Sequence, residues 1–341
     1  MLFLGIESSC DETALALVQD GRRVIASHVA SQTKIHERWG GVIPEIAARE
    51  HLIALGSMYQ NLLKSSEVSP NHIDAIAVTQ GPGLIGCLLV GVSFAKGLAQ
   101  SSLKPLIPVN HVHAHVHGAL LGIDAEYGQI FPTLALVVSG GHTNLYYMSS
   151  PTAFELIAHT IDDACGESFD KVGKMLGLPY PGGPHVEMLA KAGNASKVLL
   201  PRMIERKSHM AFSYSGLKTA VARVVRDEKT TVAQHADIAA AFQDEALGQI
   251  VRKLEIAQTM RPKAKSIIVA GGVAANSRFK SMVKESTKLP VWFPEQHFCS
   301  DNGAMIAALG FHTFRQDKHE TNLSWDVFSR YPFEKFLTTD N

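Results

Sequence analysis

The sequence predicts an α/β protein of two duplicated lobes. An apolar run, a loop and a second run occupy Leu2 to Glu7 and Thr13 to Val18, and the same unit returns at Thr133 to Val138 and Thr143 to Met148. After the first of these units, strands and helices alternate in the βαβα manner of a sheet covered by helices. A chain of 341 residues that is 46% hydrophobic and 19% charged is a folded soluble protein long enough for two lobes of ordinary size.

Val24 to Val29 follows the first unit across a turn at Asp20-Gly21, which completes a three-stranded meander. Pro44 opens a helical pattern that runs to Lys64, since a first-turn proline gives up no hydrogen bond. Ile73 to Val78 reads as a strand, Leu84 to Ala99 as a helix, Leu106 to Val109 as a strand and His111 to Leu121 as a helix. Past the second unit, helices are expected at Asp163 to Leu176, Ser215 to Asp227 and Val232 to Met260. A strand at Ser266 to Val269, a helix from about Ala275, a strand at Val291 to Phe293 and a last helix from about Asp301 complete the chain. The first lobe is therefore expected at 1–130, with 301–341 packing back on it, and the second at 131–300. No low-complexity linker separates them, so their facing surfaces are expected to form a ligand cleft.

The 32 basic side chains balance 32 acidic ones, so a nucleic acid would be met by a local patch. Four cysteines without a Cys-x-x-Cys pair make neither a disulfide framework nor a thiolate zinc site, which fits a reducing cytosol. The N-terminus lacks the basic start and long apolar core of a secretory signal. The longest uncharged apolar stretch, Gly81 to Ala95, is shorter than the ~20 residues a spanning helix needs and reads as a buried helix.

His111, His113, His115 and His117 alternate. On a helix His111 and His115 stand one turn apart, as do His113 and His117. Such a pair is half of a divalent-metal site that needs a further carboxylate or imidazole; the plainer alternative is a solvated or capping cluster. A His-Glu-x-x-His metallopeptidase motif is excluded, because no glutamate occurs from Ala75 to Ile123.

Gly81-Pro-Gly83-Leu-Ile-Gly86 has dinucleotide-binding spacing but lacks the acidic residue expected some 20 positions on, so it reads as a tightly packed turn. Ser139-Gly140-Gly141-His142 and Gly271-Gly272-Val-Ala-Ala-Asn276 are better ligand candidates, offering bare backbone to an anion or a flat ring, although either can be a plain turn. Carboxylates gather at Asp11-Glu12, Asp162-Asp163, Glu167 and Asp170, and Asp301 begins the last helix. Acids at helix starts suit the macrodipole, and an aspartate is also the hard ligand a two-histidine site lacks.

Gly5-Ile-Glu-Ser-Ser-Cys-Asp-Glu-Thr13, the His111/His115 segment, Val137-Val-Ser-Gly-Gly-His142, Ile161-Asp-Asp-Ala-Cys-Gly-Glu-Ser-Phe-Asp-Lys171, Tyr180-Pro-Gly-Gly-Pro184, Phe212-Ser-Tyr-Ser-Gly-Leu-Lys218, Gly271-Gly-Val-Ala-Ala-Asn276 and Cys299-Ser-Asp-Asn-Gly-Ala304 occur in this order. In these motifs the chain resembles the bacterial tRNA N6-adenosine threonylcarbamoyltransferases along almost its whole length. Cys165 stands where alanine or valine is usual and Tyr214 where phenylalanine is usual, small departures that leave the chemistry untouched.

The resemblance implies actin-like, sugar-kinase-like lobes. It implies transfer of a threonylcarbamoyl group from threonylcarbamoyl-AMP to N6 of the adenosine 3′ of the anticodon in tRNAs reading codons that begin with A. The implied metal ligands are His111, His115 and Asp301, with Fe2+ or Zn2+ as the ion, and His113 and His117 are not among them. The implied adenylate pocket uses Val137, Val138, Ser139, Gly140, Gly141, Asp170, Gly183 and Asn276, with Asp170 on the ribose. Glu187 stands at a further ligand position that varies among relatives. Asp11 or Glu12 is the expected base. Expected partners are tRNA, a truncated paralogue and a small P-loop ATPase, in the cytoplasm and without a membrane. A metallopeptidase and a nucleotide-dependent chaperone or scaffold are the competing classes. Arg202, Arg206, Lys207, Lys34 and Arg38 are weak candidates for the tRNA surface, scattered surface bases being the plainer reading.

Overall fold

The computed structural model describes residues 1–204, 209–227, 231–317 and 323–330. They divide into two compact units, Met1–Ala125 with the described residues from Pro294 onward, and Glu126–Phe293.

The first unit begins with the meander β1 (Leu2–Glu7), β2 (Glu12–Gln19) and β3 (Arg23–Ser31). Asp20 and Gly21 close the β2–β3 hairpin, both at positive φ (52° and 69°), which is why an Asp-Gly pair sits there. Then come α1 (Thr33–Glu37), α2 (Pro44–Ser66), β4 (Ala75–Gly81), α3 (Ile85–Ser102), β5 (Leu106–Asn110) and α4 (His111–Gly118). The sheet order is β3-β2-β1-β4-β5, antiparallel in the meander and parallel from β1 to β5.

The second unit contains α5 (Tyr127–Ile130), β6 (Thr133–Val138), β7 (Thr143–Ser150), β8 (Ala153–Thr160), α6 (Cys165–Met175), α7 (Gly182–Ala190), β9 (Ala211–Phe212), α8 (Ser215–Arg226), α9 (His235–Met260), β10 (Ser266–Ala270), α10 (Ser277–Glu285) and β11 (Val291–Trp292). Its order, β11-β10-β6-β7-β8-β9, repeats the first sheet with β9 added at one edge. The final helix, α11 (Gly303–Asp317), returns to the first unit.

In the first unit the sheet is buried on both faces, and the period of two along β1 and β2 sorts its side chains. Phe3, Ala16 and Val18 join one cluster with Ala304, Ala307, Ala308 and Phe311 of α11; Leu4, Ile6, Leu15 and Leu17 join the other with Leu55, Leu62, Leu88 and Val92 of α2 and α3. By length and composition α3 is apolar enough to cross a membrane. Only one of its faces is buried, through Cys87, Leu88, Val92, Ala95 and Ala99, whereas Ile85 and Leu89 are exposed; the expectation of a buried helix holds for that face alone.

Two glycines bring α11 close enough to matter for the site. A methyl group on Gly5 would meet the Gly303 carbonyl and lie 2.6 Å from Ala307 N; one on Gly303 would lie 2.6 Å from Ala16 N. Bare backbone therefore lets the first turn of α11 rest directly on β1 and β2. Gly5→Ala is expected to destabilise the protein by about 1–3 kcal/mol or more through overpacking, read as a shifted denaturation midpoint; an unchanged midpoint would remove this constraint.

Candidate active site

Asn110 fixes the β5–α4 junction, its Oδ1 accepting the N–H of Val112 at 2.9 Å and of His113 at 3.2 Å. Helical spacing then sets His111 beside His115, with ring centroids 4.8 Å apart. Asp301 faces them from the turn before α11. Asn302, not Asp301, provides the cap of that helix, accepting from Met305 N at 2.9 Å. Asp301 Oδ1 lies 3.3 Å from His115 Nε2 and 3.7 Å from His111 Nε2, and the three ligand atoms fall within 4.8 Å of one another.

These side chains fit a divalent cation. Donor atoms around a tetrahedral ion with bonds of ~2.0–2.1 Å lie roughly 3.3 Å apart, which matches the Asp301–His115 separation and is shorter than the 3.7 Å between Asp301 and His111. Both ring nitrogens of His115 are buried and make no hydrogen bond among the described residues, a deficit that a bound ion would relieve at Nε2, the nitrogen facing Asp301. Two imidazoles and a carboxylate with coordination positions to spare suit iron or zinc. His113 and His117 stand apart from this group. The His117 ring lies 5.2 Å from that of His312, and burial pushes His113 and His312 down to about 3.

Behind His111 stands Glu7, the last residue of β1, with no exposed surface. Its Oε2 is 3.0 Å from His111 Nδ1 and accepts from Thr79 Oγ1 at 2.6 Å, while its Oε1 accepts from Ser9 N at 2.5 Å. Burial pushes the His111 imidazole down, but the carboxylates of Glu7 and Asp301 more than offset that and raise it to about 9. Burial likewise opposes the Glu7 charge, and His111 reverses this, holding the carboxyl below its usual range. The sequence reading passed over Glu7; the available signal was a charged residue ending an otherwise apolar strand. With no solvent exposure and its contact on Nδ1, Glu7 is no substitute for the glutamate of a peptidase.

Asp11 and Glu12 lie where the loop after β1 enters β2. His51 of α2, also passed over, anchors this loop: Nε2 donates to the Cys10 carbonyl at 2.9 Å, so Nδ1 accepts from Thr13 Oγ1 at 2.7 Å. Glu12 Oε1 accepts from Ser31 Oγ at 2.8 Å, whereas its buried Oε2 finds no hydrogen-bond partner among the described residues. Burial lifts Glu12 to about 7 despite the Ser31 hydrogen bond, with help from the charges of Asp11 and Asp301. An ordinary carboxylate would be a weak base; Glu12 is not an ordinary one. The adjacent glycine motif serves the same loop, since a methyl on Gly83 would lie 2.6 Å from the Ser9 carbonyl.

In the second unit, Val137 and Val138 are fully buried at the end of β6. Ser139 closes the following turn, its Oγ accepting from His142 N at 3.2 Å, and leaves Gly140 and Gly141 exposed, with open space where a Cβ would lie. Gly271 needs to be glycine for the chain's own packing: its φ is +87° and a methyl would lie 2.5 Å from the Val138 carbonyl. Gly272 remains open. Asp170 Oδ1 accepts from Gly182 N at 2.7 Å and Gly183 N at 3.3 Å, at the start of α7. Glu187 Oε1 accepts from Ser277 N at 2.9 Å, and Asn276 caps α10 through Phe279 N at 2.9 Å while donating to Gln243 at 2.9 Å. Glu187, Gln243, Ser277 and Arg278 line a cavity of about 720 Å3. Asp162 and Asp163 serve the fold: Asp162 accepts from Ser213 Oγ and Tyr214 N before α8, and Asp163 pairs with Lys171 and Lys218. Arg202, Lys34 and Arg38 are exposed, and Arg206 and Lys207 lie outside the described residues.

Residues 23–308 match the family model described as tRNA N6-adenosine threonylcarbamoyltransferase. The chain belongs to the tRNA N6-adenosine threonylcarbamoyltransferase family. A relative of that name from Moorella thermoacetica is 45% identical over 316 residues, covering 91% of this chain and 91% of its own. Among solved structures, T. kodakarensis HypF superposes with a TM-score of 0.62 at 13% identity, over 92% of this chain and 48% of that one. Component A of the (R)-2-hydroxyglutaryl-CoA dehydratase of Acidaminococcus fermentans gives 0.54 at 13%, over 92% and 98%. At such identities these likenesses speak for the fold alone, an α/β architecture of actin-like lobes.

Membership in the threonylcarbamoyltransferase family makes the chain a transferase and implies tRNA as substrate. Family and geometry together point to a metal at His111, His115 and Asp301. Elemental analysis of the purified protein is expected to show one divalent ion per chain, lost in Asp301→Ala and in His115→Ala but kept in His113→Ala; an ion retained by all three would place it elsewhere.

Proposed function

We propose that the chain moves the threonylcarbamoyl group from threonylcarbamoyl-AMP to N6 of the adenosine 3′ of the anticodon, in tRNAs reading codons that begin with A. The convergence of His111, His115 and Asp301 is the observation that carries the site. These three residues would hold one Fe2+ or Zn2+, which when bound supplies Lewis-acid neutralisation of charge on the phosphate or carbamoyl oxygen. The turn at Ser139, Gly140 and Gly141, with Asp170, Gly183, Glu187 and Asn276, would bind the adenylate. A truncated paralogue, a small P-loop ATPase and a cytoplasmic setting belong to the same reading.

The exocyclic amine of adenine is a poor nucleophile because its lone pair is delocalised into the ring. The mixed anhydride therefore supplies the leaving group, and the amine must lose a proton as the new C–N bond forms. Glu12 accepts that proton. A carboxylate raised to about 7 is a far better base than an ordinary one and is still largely ionised just above neutrality.

Incubating tRNA with threonine, bicarbonate, ATP and the partner enzymes, with and without this protein, and analysing its nucleosides by mass spectrometry tests the function. Asp301→Ala should abolish the modified nucleoside while the protein stays soluble; full modification by that variant would remove the metal from the mechanism. Because Glu12 acts ionised, kcat/KM should rise with pH through about 7 and level off above. Glu12→Gln should lower it about 10²–10⁴-fold and lose that limb. The sign for stability is opposite. A carboxyl raised from 4.5 to about 7 favours the fold below 4.5 and loses that contribution as pH climbs through 7, so Glu12→Gln should unfold later than wild type at pH 8.

A further inference from the structure

We infer that Glu7 is a positioning residue for the metal centre, holding the His111 Nδ1 proton so that Nε2 is the ring nitrogen offered to the cation beside Asp301. This rests on the reading of His111, His115 and Asp301 as cation ligands. Parallel pairing of β1 with β4 sets Ile6 beside Val78 and so brings Glu7 next to Thr79. The Thr79 hydroxyl and the Ser9 amide both donate to the Glu7 carboxylate, which holds it in place. His111 Nδ1 then has two oxygen neighbours, Glu7 Oε2 at 3.0 Å and Ser9 Oγ at 3.2 Å. The carboxylate is the stronger acceptor, so Nδ1 keeps its proton when the ring gives one up, and Nε2, 3.7 Å from Asp301 Oδ1, is the nitrogen that yields its proton to a cation.

A carboxylate with no exposed surface is costly unless it is fully hydrogen-bonded, and an apolar side chain at the end of β1 would avoid that cost. Its acceptor role toward a ligating imidazole gives the burial a purpose: it raises the basicity of the ring and adds a second negative charge to that of Asp301, matching a dication. His115 has no such carboxylate on Nδ1: its ring is buried, packs edge-on against His111 and has Asp301 Oδ1 3.3 Å from Nε2, and neither ring nitrogen makes a hydrogen bond among the described residues. The two ligands are thus oriented by different means.

The test titrates the full-length, metal-stripped protein with Co2+, following affinity by competition and geometry by the visible absorption bands. Wild type should bind one Co2+ and His111→Ala should lose it. Glu7→Gln, which keeps the side-chain shape, should bind 10–100-fold more weakly with altered bands, and Thr79→Val should shift both in the same direction by less. Thermal midpoints measured without the ion separate a fold defect from a binding defect. If His111→Ala loses the ion but Glu7→Gln keeps wild-type affinity and spectrum, the role of Glu7 is overturned while the centre stands. If wild type takes up no ion, or His111→Ala binds as wild type does, it is the centre that fails. Should Glu7→Gln not fold, Thr79→Val decides: weakened binding supports the inference and wild-type binding overturns it.

Discussion

The first unit depends on the approach of the α11 backbone to β1. Helices usually rest on sheets through side chains, but Gly5 and Gly303 remove the Cβ atoms from the contact and let main chain meet main chain. The residues that follow, Ala304, Ala307 and Ala308, are small and fully buried, and Phe311 closes edge-on against Phe3 with centroids 5.6 Å apart. A helix seated this low carries the turn before it to the level of α4. Asn302 holds the helix end, and Asp301 is delivered opposite two histidines. A larger residue at either glycine would lift the helix and move the carboxylate with it.

Around this contact the unit concentrates negative charge. Glu7 and Asp301 flank His111, and Asp11 and Asp301 both add to the burial that raises Glu12. Buried carboxylates are tolerated where donors converge on them. Glu7 has three such neighbours, Ser9 N, Thr79 Oγ1 and His111 Nδ1. Glu12 has Ser31 on one oxygen and nothing recorded among the described residues on the other. That difference in supply separates their titration: the well-served carboxyl is held below its usual range, and the half-served one is raised to about 7.

Much of the architecture was legible because it is written in short-range patterns. The repeated apolar runs gave the first two strands of each unit, the Asp-Gly pair gave the first hairpin and with it the meander of the first unit, and the i, i+4 histidines marked one face of a helix. Elements held by tertiary partners were not legible. α7 begins Gly-Gly-Pro, which reads as a turn until Asp170, a distant carboxylate, accepts the first two N–H groups. β8 was passed over because its burial pattern is mixed and its existence rests on pairing with β7. Glu7 and His51 escaped for the same reason, since their partners lie far away in sequence. The raised basicity of Glu12 is a property of burial, which no local pattern encodes. The Gly271 turn reads from sequence either as bare backbone for a ligand or as a plain turn, and only the fold shows that its missing side chain admits the Val138 carbonyl.

The return of α11 to the first unit also sets an order of events during synthesis. His111 and His115 leave the ribosome well before Asp301, with the whole of Glu126–Phe293 made in between. The early segment can form its meander and the paired imidazoles, but its sheet face under α11 stays uncovered until the last helix emerges, and joining such distant pieces is slow. A nascent chain stalled within the second unit would therefore carry His111 and His115 without Asp301. Completion of translation is what brings the three side chains together.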